Sequence, residues 1–311
     1  MDRPIHSKRK RVGYMLKKVV LAGGTGFVGQ YFEKHFRNLG YEVRIISRQT
    51  PHTGWEDKEG IRETIDNSDM LINLAGKTVN CRYNAKNKKE ILDSRTDTTE
   101  MLGKAIEQCE NPPSLWINSS TATIYRHAED KPMTEGDGVI GSGFSVDVAK
   151  AWELSFFDFR LPRTRQIALR IAIVLGDGGV MTPYRNLVKF GLGGHQGSGN
   201  QKFSWIHIDD LFNIVLFLRK NEELSGVFNC SSPHPVTNRE LMSHLRKAMK
   251  RKIGLPCPRP MLGMGAFFMR TETELILKSR WVIPERLERE GYEFKFDKLE
   301  AALQEILKCS K

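Results

Sequence analysis

Lys17-Lys18-Val19-Val20-Leu21-Ala22-Gly23-Gly24-Thr25-Gly26-Phe27-Val28-Gly29 is the stretch that decides the fold. Val19 to Ala22 is a largely β-branched apolar run that empties into a cluster of glycines. Beyond it, Phe27, Val28, Tyr31, Phe32 and Phe36 recur three and four residues apart, the spacing of one helix face. The order is therefore strand, tight turn, helix. The cluster fits Gly-x-Gly-x-x-Gly at Gly24, Gly26 and Gly29, and Gly-x-x-Gly-x-x-Gly at Gly23, Gly26 and Gly29. The first glycines permit the turn and let backbone approach a pyrophosphate. The last lets helix pack closely on strand, and the helix start supplies N–H donors and a positive dipole end. Gly23, Thr25, Gly26, Phe27, Val28 and Gly29 are the expected dinucleotide-binding turn.

Working outward, Tyr41 to Ser47 largely alternates polar and apolar residues and reads as a second strand. A site for NAD usually places Asp or Glu about 20 residues past the glycine motif, on the ribose hydroxyls. Here that place reads Ser47-Arg48. A carboxylate repels a 2′-phosphate, whereas a hydroxyl and a guanidinium bind one, so the expected cofactor is NADP(H). Pro51 to Ser68 reads as polar and irregular. Asp69 to Gly76 is the next buried strand, and its small-residue end, Leu74-Ala75-Gly76, is expected to lie against the cofactor. Asn87 to Gln108 reads as a long helix, Ser114 to Thr121 as a strand opening into hydroxyls, and Arg165 to Leu175 as another strand, with Ile173 passing the nicotinamide.

The chain has 311 residues, 40% of them hydrophobic, enough for a large core. No apolar run approaches a membrane span, so no membrane partner is expected. Five scattered cysteines without C-x-x-C spacing suggest free thiols, no metal site and a reducing, cytoplasmic setting. The net charge is +11, but residues 1–18 carry +6 and residues 246–289 carry +7, which leaves 19–245 at −1. A nucleic-acid partner would rest on those two segments alone and is not expected. Residues 1–14 contain Lys8-Arg9-Lys10-Arg11 and no apolar core of a signal peptide, and read as a disordered basic leader.

The glycine motif, Asn73-Leu74-Ala75-Gly76, Ser119-Ser120-Thr121-Ala122-Thr123-Ile124-Tyr125 and Trp205-Ile206-His207-Ile208-Asp209-Asp210 together resemble the extended short-chain dehydrogenase/reductase superfamily. Within it the chain is most similar to a poorly characterised "epimerase family". The features that carry this are Gly191-Leu192-Gly193-Gly194, Gly197-Ser198-Gly199, Trp152-Glu153 and a basic C-terminal extension. The resemblance implies a catalytic Ser/Thr and a Tyr-x-x-x-Lys pair. The tyrosine moves the proton, and the lysine lowers its pKa and holds the nicotinamide ribose. By that resemblance Thr121 takes the hydroxyl role and Lys150 the lysine role, while Val146 stands where the tyrosine should be. Lys150 also reads as a solvated helix lysine, and Thr121 as a strand or hydrogen-bonding residue.

Three readings follow. Another group supplies the proton, with Tyr125, Tyr184, Asp147 and His207 as candidates. Alternatively the substrate or water supplies it, or the protein binds NADP(H) without turning it over. Ile206 and Ile208 flank His207, which reads as structural, with Asp209 or Asp210 as the cap of the following helix.

The resemblance also bears on substrate. Relatives acting on nucleotide-sugars carry Gly-x-Gly-x-Gln-x-Arg, whose arginine grips a diphosphate. In Gly197-Ser198-Gly199-Asn200-Gln201-Lys202-Phe203, the arginine's place is Phe203, and Lys202 would face the other way on a strand. The expectation is a doubly wound α/β sheet of the Rossmann type with a smaller C-terminal substrate subdomain. Residues 15–176 would form the NADP-binding core and 177–311 mostly the subdomain, with 205–230 returning to the core. The expected activity is that of an NADP(H)-dependent oxidoreductase or epimerase-like enzyme on a small substrate that is not a nucleotide-sugar. The alternative is a non-catalytic NADP(H)-binding or redox-sensing protein. The sequence leaves the oligomeric state open.

Overall fold

Val19, Val20, Leu21 and Ala22 are all completely buried, which requires cover on both faces of their strand. A computed structural model, describing residues 17–258 and 277–308, shows how that cover is built. Six strands form one parallel sheet: β1 (Lys18–Ala22), β2 (Glu42–Ile46), β3 (Met70–Asn73), β4 (Leu115–Thr121), β5 (Arg165–Ile171) and, later in the chain, Gly226–Cys230. Their spatial order is β2, β1, β3, β4, β5, then the Gly226–Cys230 strand at the edge.

Alternate residues serve opposite faces, as strand geometry demands. Val19 and Leu21 pack with Phe32 and Phe36 of α1 (Phe27–Asn38) and with Leu211, Ile214 and Val215 of a later helix. Val20 and Ala22 pack with Ile61 and Ile65, with Leu102 and Ile106 of α3 (Ala85–Glu107), and with Phe156 of α4 (Phe144–Phe157). Each large aliphatic or aromatic side chain so buried contributes roughly 1.5–3 kcal/mol. The sheet is doubly wound. β2 lies on one side of β1 and β3 on the other, so the winding reverses between β1 and β3 and opens a crevice at their carboxyl ends.

The expected irregular segment 51–68 contains a helix, α2 (Lys58–Ile65). Asp57 caps it by accepting from Gly60 N–H at 2.8 Å, and its one apolar pair, Ile61 and Ile65, is completely buried. Two apolar residues are too few to register as a periodicity, but tertiary burial suffices to hold the helix. The expected strand 165–175 is two. It breaks at Ala172, and β6 (Ile173–Leu175) leaves the main sheet to pair with β8 (Trp205–His207).

The remaining elements are α5 (Met181–Lys189), β7 (Lys202–Phe203), α6 (Ile208–Lys220), β9 (Gly226–Cys230), β10 (Val236–Thr237), α7 (Asn238–Ala248), α8 (Glu285–Arg289) and α9 (Leu299–Lys308). Thr237 starts α7 through a complete capping box with Glu240. Met181, Tyr184, Phe203, Trp205, Leu241, Leu245, Leu299 and Leu303 form a separate cluster beyond the carboxyl end of β6. The basic leader 1–14 and most of the Met- and Phe-rich stretch 263–278 lie outside the described residues. No described helix is long and apolar enough to cross a membrane.

Candidate active site

The crevice is lined first by the glycine turn. Gly23 has φ +74°, and a Cβ on it would fall 2.6 Å from the Cα and N of Ala75. Only glycine lets the turn after β1 touch the turn after β3. A Cβ on Gly29 would fall 2.3 Å from the carbonyl oxygen of Gly24, so helix and turn meet backbone to backbone. Gly26 differs: a Cβ there would meet nothing nearer than Gly23 O at 3.9 Å. As N-cap of α1 it brings no side-chain oxygen to the first amides, and no acid lies in that first turn. Those donors stay available to an anion. Backbone cradle, open amides and missing acid fit a dinucleotide pyrophosphate.

Ser47 and Arg48 follow β2. Ser47 is buried, and its hydroxyl accepts from Gln49 N–H at 2.9 Å. It shapes the loop. Arg48 is exposed and has no hydrogen-bond or ion-pair partner among the described residues, so its guanidinium is free to meet an anion. On the opposite wall, Asn73 Oδ1 accepts from Ala75 N–H at 3.0 Å, and Asn73 Nδ2 donates to Asn118 at 2.7 Å and Thr99 at 3.1 Å. This buried amide pair sets the Leu74-Ala75-Gly76 turn.

Thr121 ends β4 half-buried. Its hydroxyl accepts from Thr123 N–H at 3.1 Å, starting the short helical turn Ala122–Ile124, and its own proton remains to be given. Lys150 lies on α4, exposed, with no hydrogen bond or ion pair among the described residues. Thr121 and Lys150 are therefore not joined to each other. Val146 is completely buried among Ala122, Ile124, Tyr125, Ala149 and Val282, so the tyrosine's expected place is filled by packing. Ile173 opens β6 half-buried, on the edge of the cluster that holds Tyr184.

The candidate proton donors differ in freedom. Tyr125 is 1% exposed; its hydroxyl donates to Asn229 Oδ1 and accepts from Arg170 Nη1, both at 2.9 Å. Burial raises its pKa, and its proton is committed to the fold. Tyr184 is buried, pushed up to about 12 by desolvation against the opposing charge of Arg280, and its hydroxyl has no hydrogen-bond partner among the described residues. Asp147 is exposed in the first turn of α4. His207 is 1% exposed and is itself the N-cap of α6: Nδ1 accepts from Asp209 N–H at 3.1 Å, which leaves Nε2 to donate to Glu305 at 3.1 Å. The cap is thus the histidine, not the expected Asp209 or Asp210. Asp210 instead accepts from the backbone of Lys295 and Phe296, tying the C-terminal segment to α6.

At the arginine's missing place, Phe203 is buried edge-on to Tyr184, with ring centroids 6.2 Å apart. Lys202 points away, over the Trp281 ring at 4.7 Å. Two other cations reach the end of β4 from the C-terminal segment. Lys278 Nζ donates to Thr123 O at 2.8 Å, and Arg280 Nε lies 3.3 Å from Thr123 Oγ1. Among the described residues no group of three His, Cys, Asp or Glu could hold a metal.

This architecture has known counterparts. Residues 19–141 match the NAD dependent epimerase/dehydratase family, and residues 257–306 match DUF1731, a domain of unknown function. The human epimerase family protein SDR39U1 is 33% identical over 309 residues, covering 93% of this chain and 99% of its own. The chain belongs to the epimerase family. A second epimerase family protein, SERP0438 of Staphylococcus epidermidis, is 30% identical over 94% of this chain and all of its own. The crystal structure of human SDR39U1 (isoform 2) with NADPH superposes with a TM-score of 0.85 over 94% of this chain and 99% of that one.

This epimerase-family chain also has a buried cluster that its sequence conceals. Glu153 on α4 receives two hydrogen bonds from Arg170 on β5 and one from Ser120 Oγ at 2.6 Å. Glu153 is visible in the sequence beside Trp152. Its partner Arg170 belongs to a different element, and no spacing rule connects the two.

Proposed function

We propose that the chain is an NADP(H)-dependent oxidoreductase or epimerase-like enzyme acting on a small substrate other than a nucleotide-sugar, in the cytoplasm. The observation that carries the cofactor half is the glycine cradle closed on Ala75 beside the uncapped amides of α1. The NADPH in the human relative's crystal structure supports the choice of dinucleotide. NADP(H) would supply the hydride. The cradle and the α1 amides would hold the pyrophosphate, Arg48 the 2′-phosphate, and Leu74, Ala75 and Gly76 the crevice wall. Lys150 would bind the nicotinamide ribose, Ile173 would pass the nicotinamide, and Thr121 would donate its free hydroxyl proton to the substrate oxygen.

The substrate half rests on Phe203, an aromatic ring where a diphosphate-gripping arginine would be needed. A second reading, NADP(H) binding without turnover, is favoured by the burial of Val146 and the committed hydroxyl of Tyr125. The deciding experiment is a screen of small aldehydes, ketones and quinones with NADPH deuterated at C4. Deuterium appearing in product supports the enzyme. Tight NADPH binding with no transfer to any of them supports the second reading, and no NADPH binding removes both.

A further inference from the structure

Arg95 lies on α3, directly behind the turn that follows β3. A Cβ on Gly76 would fall 3.0 Å from its Cζ, so the guanidinium occupies the space that Gly76 leaves by lacking a side chain. One face of the guanidinium stacks on Trp152 of α4, 5.1 Å from the ring centroid. Nη1 donates to the main-chain oxygens of Lys77 at 3.1 Å and Ile91 at 2.9 Å. The guanidinium has five N–H donors. Nε and both hydrogens of Nη2 have no partner among the described residues.

Those unspent donors do not point into the core. Among the described residues the one buried side-chain nitrogen or oxygen without a partner is Trp116 Nε1. The open donors of Arg95 therefore reach solvent, beside the exposed Gly76. No described carboxylate contacts Arg95. Burial lowers its pKa to about 10, and the only charge effect on it is the small opposing one of the Tyr83 phenol. The neighbouring cation contrasts with it: Lys77 Nζ is paired with Glu90 and donates to Asn87 at 2.8 Å. Stripping water from a cation without an anion is costly. A site that fixes the plane of a guanidinium and leaves one edge open is built to receive an oxyanion.

We infer that Arg95 is a binding residue for a phosphate or carboxylate group of the bound ligand, received over Gly76. The inference rests on the crevice reading under Proposed function. The oxyanion has two possible sources, the pyrophosphate of the cofactor and an acidic group of the substrate. Arg95→Gln removes the charge, and Arg95→Lys restores it without the planar fork.

Each protein is titrated by calorimetry with NADPH at two salt concentrations. It is then titrated, loaded with NADPH, with inorganic phosphate, malonate and succinate. The expected result is at least a tenfold loss of affinity in Arg95→Gln in one arm, with partial recovery in Arg95→Lys and a weaker salt dependence in the glutamine variant. Loss in the NADPH arm assigns the cofactor as the source. Loss in the small-anion arm alone assigns the substrate. A displaced turn without a lost charge contact would weaken binding equally in both variants and leave the salt dependence unchanged, and that outcome overturns the proposal. So does wild-type behaviour of Arg95→Gln in both arms. If the wild type itself fails to bind NADPH, the cofactor reading fails, and the small-anion arm on the unloaded protein still decides the role of Arg95.

Discussion

Arg170 holds Glu153 by two parallel hydrogen bonds, Nε to Oε1 at 2.8 Å and Nη2 to Oε2 at 2.7 Å, with each side chain 11% exposed. The pair pins α4 to β5. Through Arg170 Nη1 it continues to the Tyr125 hydroxyl and on to Asn229 of β9. Removing one partner leaves the other buried and uncompensated. Arg170→Met should therefore cost about 3–5 kcal/mol, read as a lower urea midpoint with unchanged slope. A midpoint equal to wild type would show that the pair contributes no net stability.

The exposed guanidinium of Arg48 should select the cofactor. NADPH is expected to bind more tightly than NADH, and Arg48→Ala should remove about 1.5–3 kcal/mol of that preference. Ser47→Ala should act on loop order and affect both cofactors alike, because its hydroxyl serves Gln49. Fluorescence titration of both cofactors against the three proteins tests this; equal wild-type affinities would refute it.

Ordinary reductase turnover of simple carbonyls is expected to be weak, since Val146 fills the place of the acid. Tyr125→Phe should lower stability by about 1–3 kcal/mol through the orphaned Arg170 and Asn229 groups, without a specific effect on chemistry. Tyr184→Phe breaks no hydrogen bond among the described residues and should fold normally. Any turnover lost in Tyr184→Phe alone would identify that phenol as the donor. Robust wild-type turnover that survives both changes would require a different group.

His207 makes stability depend on pH. Burial lowers its pKa below the ordinary 6.5, against the opposing pull of Asp209, Glu305 and Asp210. As pH falls below about 6.5 the unfolded chain takes up this proton before the folded one, so stability is lost toward acid. His207→Asn keeps an oxygen to cap α6 and removes the titration. Between pH 7.5 and 5.5 the wild type should lose more stability than the variant. Parallel curves would show that His207 is not the group responsible.

UDP-glucose and dTDP-glucose are expected not to bind specifically, because Phe203 offers an aromatic edge and Lys202 is turned to Trp281. Lys278 and Arg280 at Thr123 are the groups that would defeat this expectation. Calorimetry in the presence of NADP decides it, and micromolar, saturable binding of either sugar would overturn it.

The glycine turn was legible because its chemistry lies in the backbone: residues without side chains, in order, between a β-branched run and a helical repeat. Phe203 was legible because a fixed register of glycines and Gln201 surrounds it. Helix α2 was not, since its two buried isoleucines acquire their meaning only when the sheet covers them. The break at Ala172 was hidden because strand propensity runs unbroken from Arg165 to Leu175, and it is the pairing with Trp205–His207 that draws β6 away. His207 was passed over as a cap because aspartates are preferred there, and the adjacent Asp209 and Asp210 offered themselves. Arg95 carries no motif at all; its significance lies in Gly76 and Trp152, which belong to other elements and meet it only in the folded chain.

The Phe27 ring, the first residue of α1, sits inside the turn that leaves β6. Side chains added at Gly176, Gly178 or Gly179 would come within 2.9 to 3.2 Å of that ring. Two stretches from opposite halves of the chain therefore form a single unit of sequence constraint. In a library that randomises the turn, bulk at 176, 178 or 179 will be recovered chiefly with a smaller residue at 27, and diversity introduced at one end alone will be purged.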